Sequence, residues 1–153
     1  MRDFFLLPFL LCFCGVFLID QAIKWFFLLS EYTFEGNVIS LILVFNKGVA
    51  FSLLAFLQEW LKYLQIVLLV GIFVFLWRHQ TILKAHLYPL GIIFGAGASN
   101  ILDRFIHGGV VDYVYWHYLF NFAIFNFADA MINIGVVIIF YQIFLRKTKS
   151  KSR

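Results

Sequence analysis

The sequence has 153 residues, of which 63% are hydrophobic and only 13% are charged. A soluble domain of this length has no use for so much apolar surface, so we expect an integral membrane protein with no separate soluble domain. The formal net charge is +4, and five of the basic residues fall in positions 146–153. Such a cluster is typical of a cytoplasmic tail beside anionic lipid, and we expect no nucleic-acid partner.

The first apolar run covers residues 4–29 and predicts an uncleaved transmembrane helix. It continues well past the roughly 7–15 apolar residues of a signal-peptide core. Asp20 and Lys24 are four residues apart on this helix and therefore share one face. Two interpretations stay open: an ion pair near the membrane surface, or a polar support beneath an active site.

Residues 30–56 have a different character, because a polar loop precedes the β-branched run at 38–45. That run predicts a strand, the sequence NKG at 46–48 predicts a turn, and residues 49–52 are expected to return as a second strand. An open sheet edge is not tolerated within hydrocarbon. We therefore expect a small sheet on the membrane surface.

Three further apolar runs predict transmembrane helices, at residues 57–77, 87–104 and 123–145. The third helix carries small residues at four-residue spacing, which favour close helix packing: Gly91, Gly95 and Ser99. The fourth carries a polar stripe that is expected to face protein: Asn126, Asp129 and Asn133. The aromatic run at 113–118, between these two helices, predicts a short interfacial segment.

The loop charges predict the orientation. The loop at 78–86 and the tail are basic and are expected in the cytoplasm, whereas the more acidic loop at 30–59 is expected outside. The expected fold is an all-α integral membrane protein with four transmembrane helices, a small extracytoplasmic sheet and a short interfacial segment. Both termini would then be cytoplasmic, and the whole chain would form one domain.

Two carboxylates, Asp112 and Asp129, have no adjacent basic residue and lie 17 residues apart. A carboxylate at membrane depth is costly and is a functional candidate by default. Two neighbouring carboxyls cannot easily both ionise, so one can act as a base and the other as an acid, without metal or cofactor. A network that positions helices and a proton-coupled transporter or channel subunit stay open as alternatives. The histidines have no metal-ligand spacing, so we expect no metal site.

Five short motifs occur in order along the chain. They are DQAIK at 20–24, FNKGVAFS at 45–52, SNILDR at 99–104, GGVVDY at 108–113 and FNFAD at 125–129. Together they resemble the bacterial lipoprotein signal peptidase family, also called signal peptidase II, over nearly the whole chain. Ser99 stands where that family usually has glycine, and it is still small enough for close packing.

The resemblance implies an aspartic endopeptidase in the bacterial inner membrane, with Asp112 and Asp129 as the catalytic pair at the extracytoplasmic face. It implies that four residues position substrate or catalytic groups: Asn46, Asn100, Arg104 and Asn126. It implies that three more support the site: Asp20, Lys24 and Asp103. The implied substrate is a diacylglyceryl prolipoprotein, cut just before its lipidated cysteine. We expect a monomer with membrane lipids around it.

Overall fold

The computed structural model describes residues 5–48, 57, 59–120 and 122–151, without the side chains of 148–151. Five helices and two strands follow in order: α1 (Leu7–Ser30), β1 (Ile39–Asn46), α2 (Trp60–Arg78), α3 (Gln80–Ala85), α4 (Leu87–Ile106), β2 (Val110–Trp116) and α5 (Phe127–Lys151). The chain is therefore mostly helical with one small sheet.

Three of these helices are long and apolar enough to cross a membrane: α1, α2 and residues Phe127–Lys147 of α5. Helix α4 has 20 residues but is not among them, because its last turns carry Asn100, Asp103 and Arg104. All three of these polar side chains are buried in the protein. The fourth membrane span therefore stays a prediction.

Helix α4 lies at the centre, with α1 and α5 packed on it. A Cβ added at Gly91 would lie 2.4 Å from the carbonyl oxygen of Phe9, and one at Gly95 would lie 2.4 Å from that of Phe13. Only glycine permits this approach of two helix backbones. Farther along the same face, Ser99 Oγ donates to Asp20 Oδ2 at 2.6 Å. The small-residue face predicted for this helix is confirmed.

Apolar and polar side chains are segregated along the bundle. A largely aromatic and leucine-rich core lies at the end where α3 connects α2 to α4, and its buried members are Phe9, Leu76, Leu83, Leu90 and Phe94. Of the buried polar residues, His86 lies at the α3 end, hydrogen-bonded to Gln142, and the others gather at the opposite end, beside the sheet. The sheet end is therefore where chemistry is to be sought.

The sheet differs from the one predicted. Strand β1 forms one residue later than expected, and it pairs antiparallel with β2 from Asn46–Val110 to Ile39–Trp116. The interfacial segment expected between the third and fourth spans is thus a strand, since its β-branched and aromatic residues favour a pleated surface. The predicted return strand at 49–52 lies outside the described residues.

The start of the fourth predicted span and the predicted basic loop also differ from the predictions. Helix α5 begins at Phe127 rather than at 123, because Phe125 is held in an antiparallel bridge with Val114. The Phe125 amide donates to the Val114 carbonyl at 3.0 Å. The basic loop predicted at 78–86 contains the short helix α3.

Candidate active site

The start of α5 is closed by a reciprocal cap. Asn126 Oδ1 accepts the Asp129 amide at 2.9 Å, and Asp129 Oδ2 accepts the Asn126 amide at 3.1 Å. This is the capping-box arrangement, which satisfies two otherwise orphaned donors of a helix. The amides of the two residues between them donate to Tyr113 Oη at 3.0 Å and to Asp20 Oδ1 at 2.8 Å. The FNFAD motif thus fixes the Asp129 carboxylate on the first turn.

Strand β2 supplies the second carboxylate. Asp112 is 1% exposed, and its Oδ1 accepts Asn126 Nδ2 at 2.7 Å. Its Oδ2 accepts Asn46 Nδ2 at 3.0 Å. Asn46 ends β1, and its own Oδ1 accepts the Gly48 amide at 3.0 Å. Both Asp112 oxygens are therefore held by side-chain amides from other elements.

Asn100 on α4 connects the two carboxylates. Its Nδ2 donates to Asp129 Oδ1 at 2.9 Å, and its Oδ1 accepts Asn126 Nδ2 at 3.1 Å. The same Asn126 amide binds Asp112, so the two asparagines fix the positions of both carboxylates. The predicted site residues on β1, α4, β2 and α5 are brought together.

Both carboxylates line one cavity of about 610 Å³. The pKa of Asp112 is raised to about 7, first by burial and then by the neighbouring Asp129, against the lowering effect of the Asn46 and Asn126 amides. A carboxyl with such a pKa can give or take a proton near neutral pH. The arrangement suits general acid–base chemistry.

A fully buried ionic cluster lies behind the pair. Lys24 Nζ lies 2.6 Å from Asp20 Oδ2 and 2.6 Å from Asp103 Oδ2. It also donates to Asn100 Oδ1 at 2.8 Å. Asp103 Oδ2 accepts the Val111 amide at 3.1 Å, which ties β2 to α4. The ion pair predicted on the first helix forms, and it contacts a residue that holds Asp129.

Arg104 connects α4 to the end of β1. Its Nη2 donates to the Gly48 carbonyl, and its Nη1 donates to the Asn46 carbonyl at 3.4 Å. Its buried Nε has no hydrogen-bond partner among the described residues. Since Arg104 also lines the cavity, it can both hold the strand end and contact a bound substrate.

Two supporting residues carried no assigned role in the sequence prediction. Gln21 Nε2 donates to Asp103 Oδ1 at 2.8 Å and to Ser99 Oγ at 2.9 Å. A signal existed, because a polar residue between Asp20 and Lys24 in an apolar helix needs partners. Tyr113, which accepts an amide of the α5 start, offered only its position beside Asp112.

The polar stripe predicted on the fourth span is only partly turned towards protein. Asn126 is buried and Asp129 is partly exposed, but Asn133 is exposed and lines the cavity. No group of three or more histidine, cysteine or acidic residues suited to a metal ion occurs in the described part of the chain.

Comparison with known proteins gives a consistent result. A family model described as signal peptidase (SPase) II matches residues 12–145. The chain is 56% identical over 147 residues to the lipoprotein signal peptidase of Helicobacter acinonychis (strain Sheeba), covering 93% of each chain. It is also 56% identical over 132 residues to the lipoprotein signal peptidase of Wolinella succinogenes, covering 86% of this chain and 90% of that one.

A solved bacterial membrane enzyme, determined by the in meso method, matches with a TM-score of 0.74 over 94% of this chain and 90% of that one. At 23% identity, this similarity concerns the fold alone. The family match covers most of the chain, and the relatives are similar along nearly all of it. The chain therefore belongs to the signal peptidase II family.

Proposed function

We propose that this protein removes signal peptides from diacylglyceryl-modified prolipoproteins by hydrolysing the bond just before the lipidated cysteine. The relatives named lipoprotein signal peptidase support the reaction. The observation that carries the catalytic assignment is the placement of Asp112 and Asp129 on one cavity, both held by Asn126. A proton-coupled transporter is not favoured, because the family and its named relatives are peptidases.

The proposed mechanism is that of an aspartic protease. One carboxylate takes a proton from water as the water oxygen bonds to the scissile carbonyl carbon. The protonated carboxyl gives its proton to the carbonyl oxygen, and a tetrahedral intermediate forms. The intermediate then collapses, the C–N bond breaks, and the leaving amine takes a proton from the pair. The pKa of Asp112, about 7, supports a pair that shares one proton near neutral pH.

The surrounding residues have two proposed roles. The first set positions substrate or carboxylates: Asn46, Asn100, Arg104 and Asn126. Their contacts with the carboxylates and with the end of β1 support this role. The second set, Asp20, Lys24 and Asp103, supports the site from behind, and its burial at 1% exposure or less supports that role.

The proposed membrane arrangement has α4 as a fourth span and both termini in the cytoplasm of a bacterial cell. The sheet and the carboxylate pair then lie at the extracytoplasmic face of the inner membrane. Helices α2 and α5 both supply residues to the cavity. The lipid chains of the substrate could therefore remain in the bilayer and enter sideways between helices. The protein acts as a monomer.

The test is cleavage of a purified diacylglyceryl prolipoprotein by the wild type, Asp112→Asn and Asp129→Asn. We expect each variant to fold and to lose about 10³-fold or more in turnover. Glu35→Gln is the matched control, since Glu35 is exposed and does not line the cavity. Full activity in either aspartate variant would make that residue structural. Failure of the wild type to cut would overturn the proposed reaction.

A further inference from the structure

The cavity carries two side-chain amides that the proposed mechanism does not use. Gln65 on α2 and Asn133 on α5 both line it. Each lies within a helix apolar enough to cross a membrane. A polar side chain at this depth is costly unless it is paired, so its presence marks a contact.

The side chain of Gln65 has no hydrogen bond to any other described residue, and its Oε1 is buried. An unpaired buried carbonyl oxygen destabilises the free protein, because its lost contact with water is not replaced. The other residues near it on α2 are largely apolar, and they leave it without a donor. The amide oxygen is therefore available to a donor that arrives with a ligand.

Asn133 also has one amide atom with a partner and one without. Its Nδ2 donates to the Asp129 carbonyl at 3.0 Å, within α5. In the described part of the chain no hydrogen bond reaches its Oδ1. The side chain is exposed rather than packed into the protein. Both amides therefore present an unpaired oxygen.

The two residues lie at different levels of the cavity. Tyr63, near the start of α2, stacks edge-on against Phe105 near the end of α4, so Gln65 lies beside the last turns of α4. Helix α5 starts farther along α4, where Asn126 contacts Asn100, and Gly135 packs on Ile93. Gln65 and Asn133 are therefore separated by roughly 10 Å or more along the bundle. The cavity carries one amide on α2 at the sheet end and one on α5 farther from it.

We propose that Gln65 and Asn133 recognise the peptide part of the substrate. Their side-chain amides hydrogen-bond the backbone of a short extended stretch of the signal peptide, on the N-terminal side of the scissile bond. This inference rests on the proposed function and deepens it. It assigns a specificity-determining role to two residues outside the carboxylate pair.

The chemistry favours the peptide over the lipid. A bond can be hydrolysed only where the peptide leaves its helix, and there each backbone N–H loses its partner at membrane depth. The diacylglyceryl group offers ester and thioether acceptors but no donor. The unpaired atoms of Gln65 and Asn133 are oxygens, which need a donor. The backbone N–H supplies it.

The test pairs enzyme variants with altered substrates. The enzymes are the wild type, Gln65→Leu, Asn133→Leu and the control Val67→Leu, whose residue is exposed on α2 outside the cavity. The substrates are a parent diacylglyceryl lipopeptide and three versions in which one amide link before the scissile bond becomes an ester. The ester removes one N–H and keeps the carbonyl. A fifth substrate carries ether-linked lipid chains, which lack the ester carbonyls.

We expect Gln65→Leu and Asn133→Leu each to raise KM for the parent about fivefold, with kcat near the wild-type value. For the wild type, one ester substrate should raise KM by about the same factor. For the variant that lacks the amide contacting that N–H, the same ester should not raise KM further. The melting temperature of Gln65→Leu should not fall, because no contact within the protein is lost. A structural role would lower it.

Two outcomes overturn this inference alone. One is that wild type cleaves the parent, but every ester substitution raises KM of both variants by the same factor as it raises KM of the wild type. The other is that the effect of the variants disappears only with the ether-linked lipid, which would place the amides on the lipid. Failure of the wild type to cleave the parent overturns the proposed function, and this inference falls with it.

Discussion

The molecule contains two pairs of carboxylates whose partners differ in kind. Asp20 and Asp103 flank Lys24, each with an oxygen 2.6 Å from its ammonium nitrogen. Asp112 and Asp129 have no ion pair with any described residue, and their partners are amide N–H groups. Both pairs sit within the same sheet end of the bundle.

The partners of each pair decide whether its carboxylates are suited to a structural role or to proton transfer. A cation between two carboxylates pairs its full charge with both and holds all three groups in one cluster. Amides hold a carboxylate in position without supplying that full charge, so a proton can still reside on one of the two. The first pair is suited to support, and the second to proton transfer.

Asn100 joins the two pairs. It accepts from Lys24 and donates to Asp129, so the orientation of its amide is set by the cation behind it. If that orientation were reversed, Asn100 would present its oxygen to the Asp129 carboxylate. The ionic cluster is therefore connected to Asp129 through one asparagine side chain.

The largest effect is expected when the cation between Asp20 and Asp103 is removed. Lys24→Met leaves two fully buried carboxylates without a counter-charge, and we expect it to lower the free energy of unfolding by about 3–5 kcal/mol. Thermal unfolding in detergent would measure this. Lys62→Met is the control: Lys62 pairs with the exposed Glu59, and its loss should cost less than about 1 kcal/mol. Equal effects from the two variants would contradict a structural role for the buried cluster.

The sequence predicted much of this site because its polar residues are conspicuous. In a chain this apolar, Asp20, Lys24, Asp112 and Asp129 each require a partner or a function. Helical spacing placed the first two on one face, and the resemblance supplied the roles of the asparagines. These predictions depend on local pattern and on cost, which sequence reveals well.

The pairing of the sheet was not predictable in the same way. Asn46 pairs with Val110, 64 residues later in the chain, whereas a hairpin with its immediate neighbours was the simpler expectation. Strand partners so far apart are set by the helices that carry them, which no local pattern records. Gln65 is likewise one polar residue in an apolar run, and only the packing of the helices places it on the cavity.

A second change sharpens the comparison at the amide-held pair. Asn126→Ala removes the helix cap and the amide shared by Asp112 and Asn100. We expect it to cost about 1–2 kcal/mol of stability, and misplaced carboxylates should lower kcat about 100-fold. Cleavage kinetics and thermal unfolding would measure the two effects.

Asn126→Ser separates these two contributions. Serine is a good helix cap, so stability should stay near that of wild type. Serine lacks the Nδ2 amide that donates to Asp112 and Asn100, so kcat should still fall. Wild-type kcat in the serine variant would show that the amide of Asn126 does not position Asp112.

Asp112 of the amide-held pair should also make stability depend on pH. The folded pKa of Asp112, about 7, lies above its ordinary value of 3.8, so the folded state binds more protons between those limits. The stability associated with Asp112 is therefore present at low pH and declines as pH rises from about 4 to 7. Unfolding measured across this range should show a steeper decline for wild type than for Asp112→Asn. Parallel profiles would contradict a raised pKa.

The smallest expected effect tests a hypothesis based on the position of the sheet beside the cavity: that the sheet closes over bound peptide. Trp116 pairs with Ile39, at the end of the sheet away from Asn46, and is 40% exposed. Its backbone carbonyl accepts the amide of Phe122, which lines the cavity. Trp116 is therefore hydrogen-bonded to a segment that borders the site. We expect Trp116→Ala to lower kcat/KM about threefold without lowering the melting temperature.

Leu119→Ala is the matched control for this effect, since Leu119 is 76% exposed and does not line the cavity. A closing sheet predicts that Trp116→Ala slows cleavage and that the control does not, because only Trp116 belongs to the strand that carries Asp112. Unchanged kinetics in both variants would mean that the sheet holds Asp112 in place without closing. The amide-held pair would then work in an open site, and water exclusion would come from the bound lipopeptide itself.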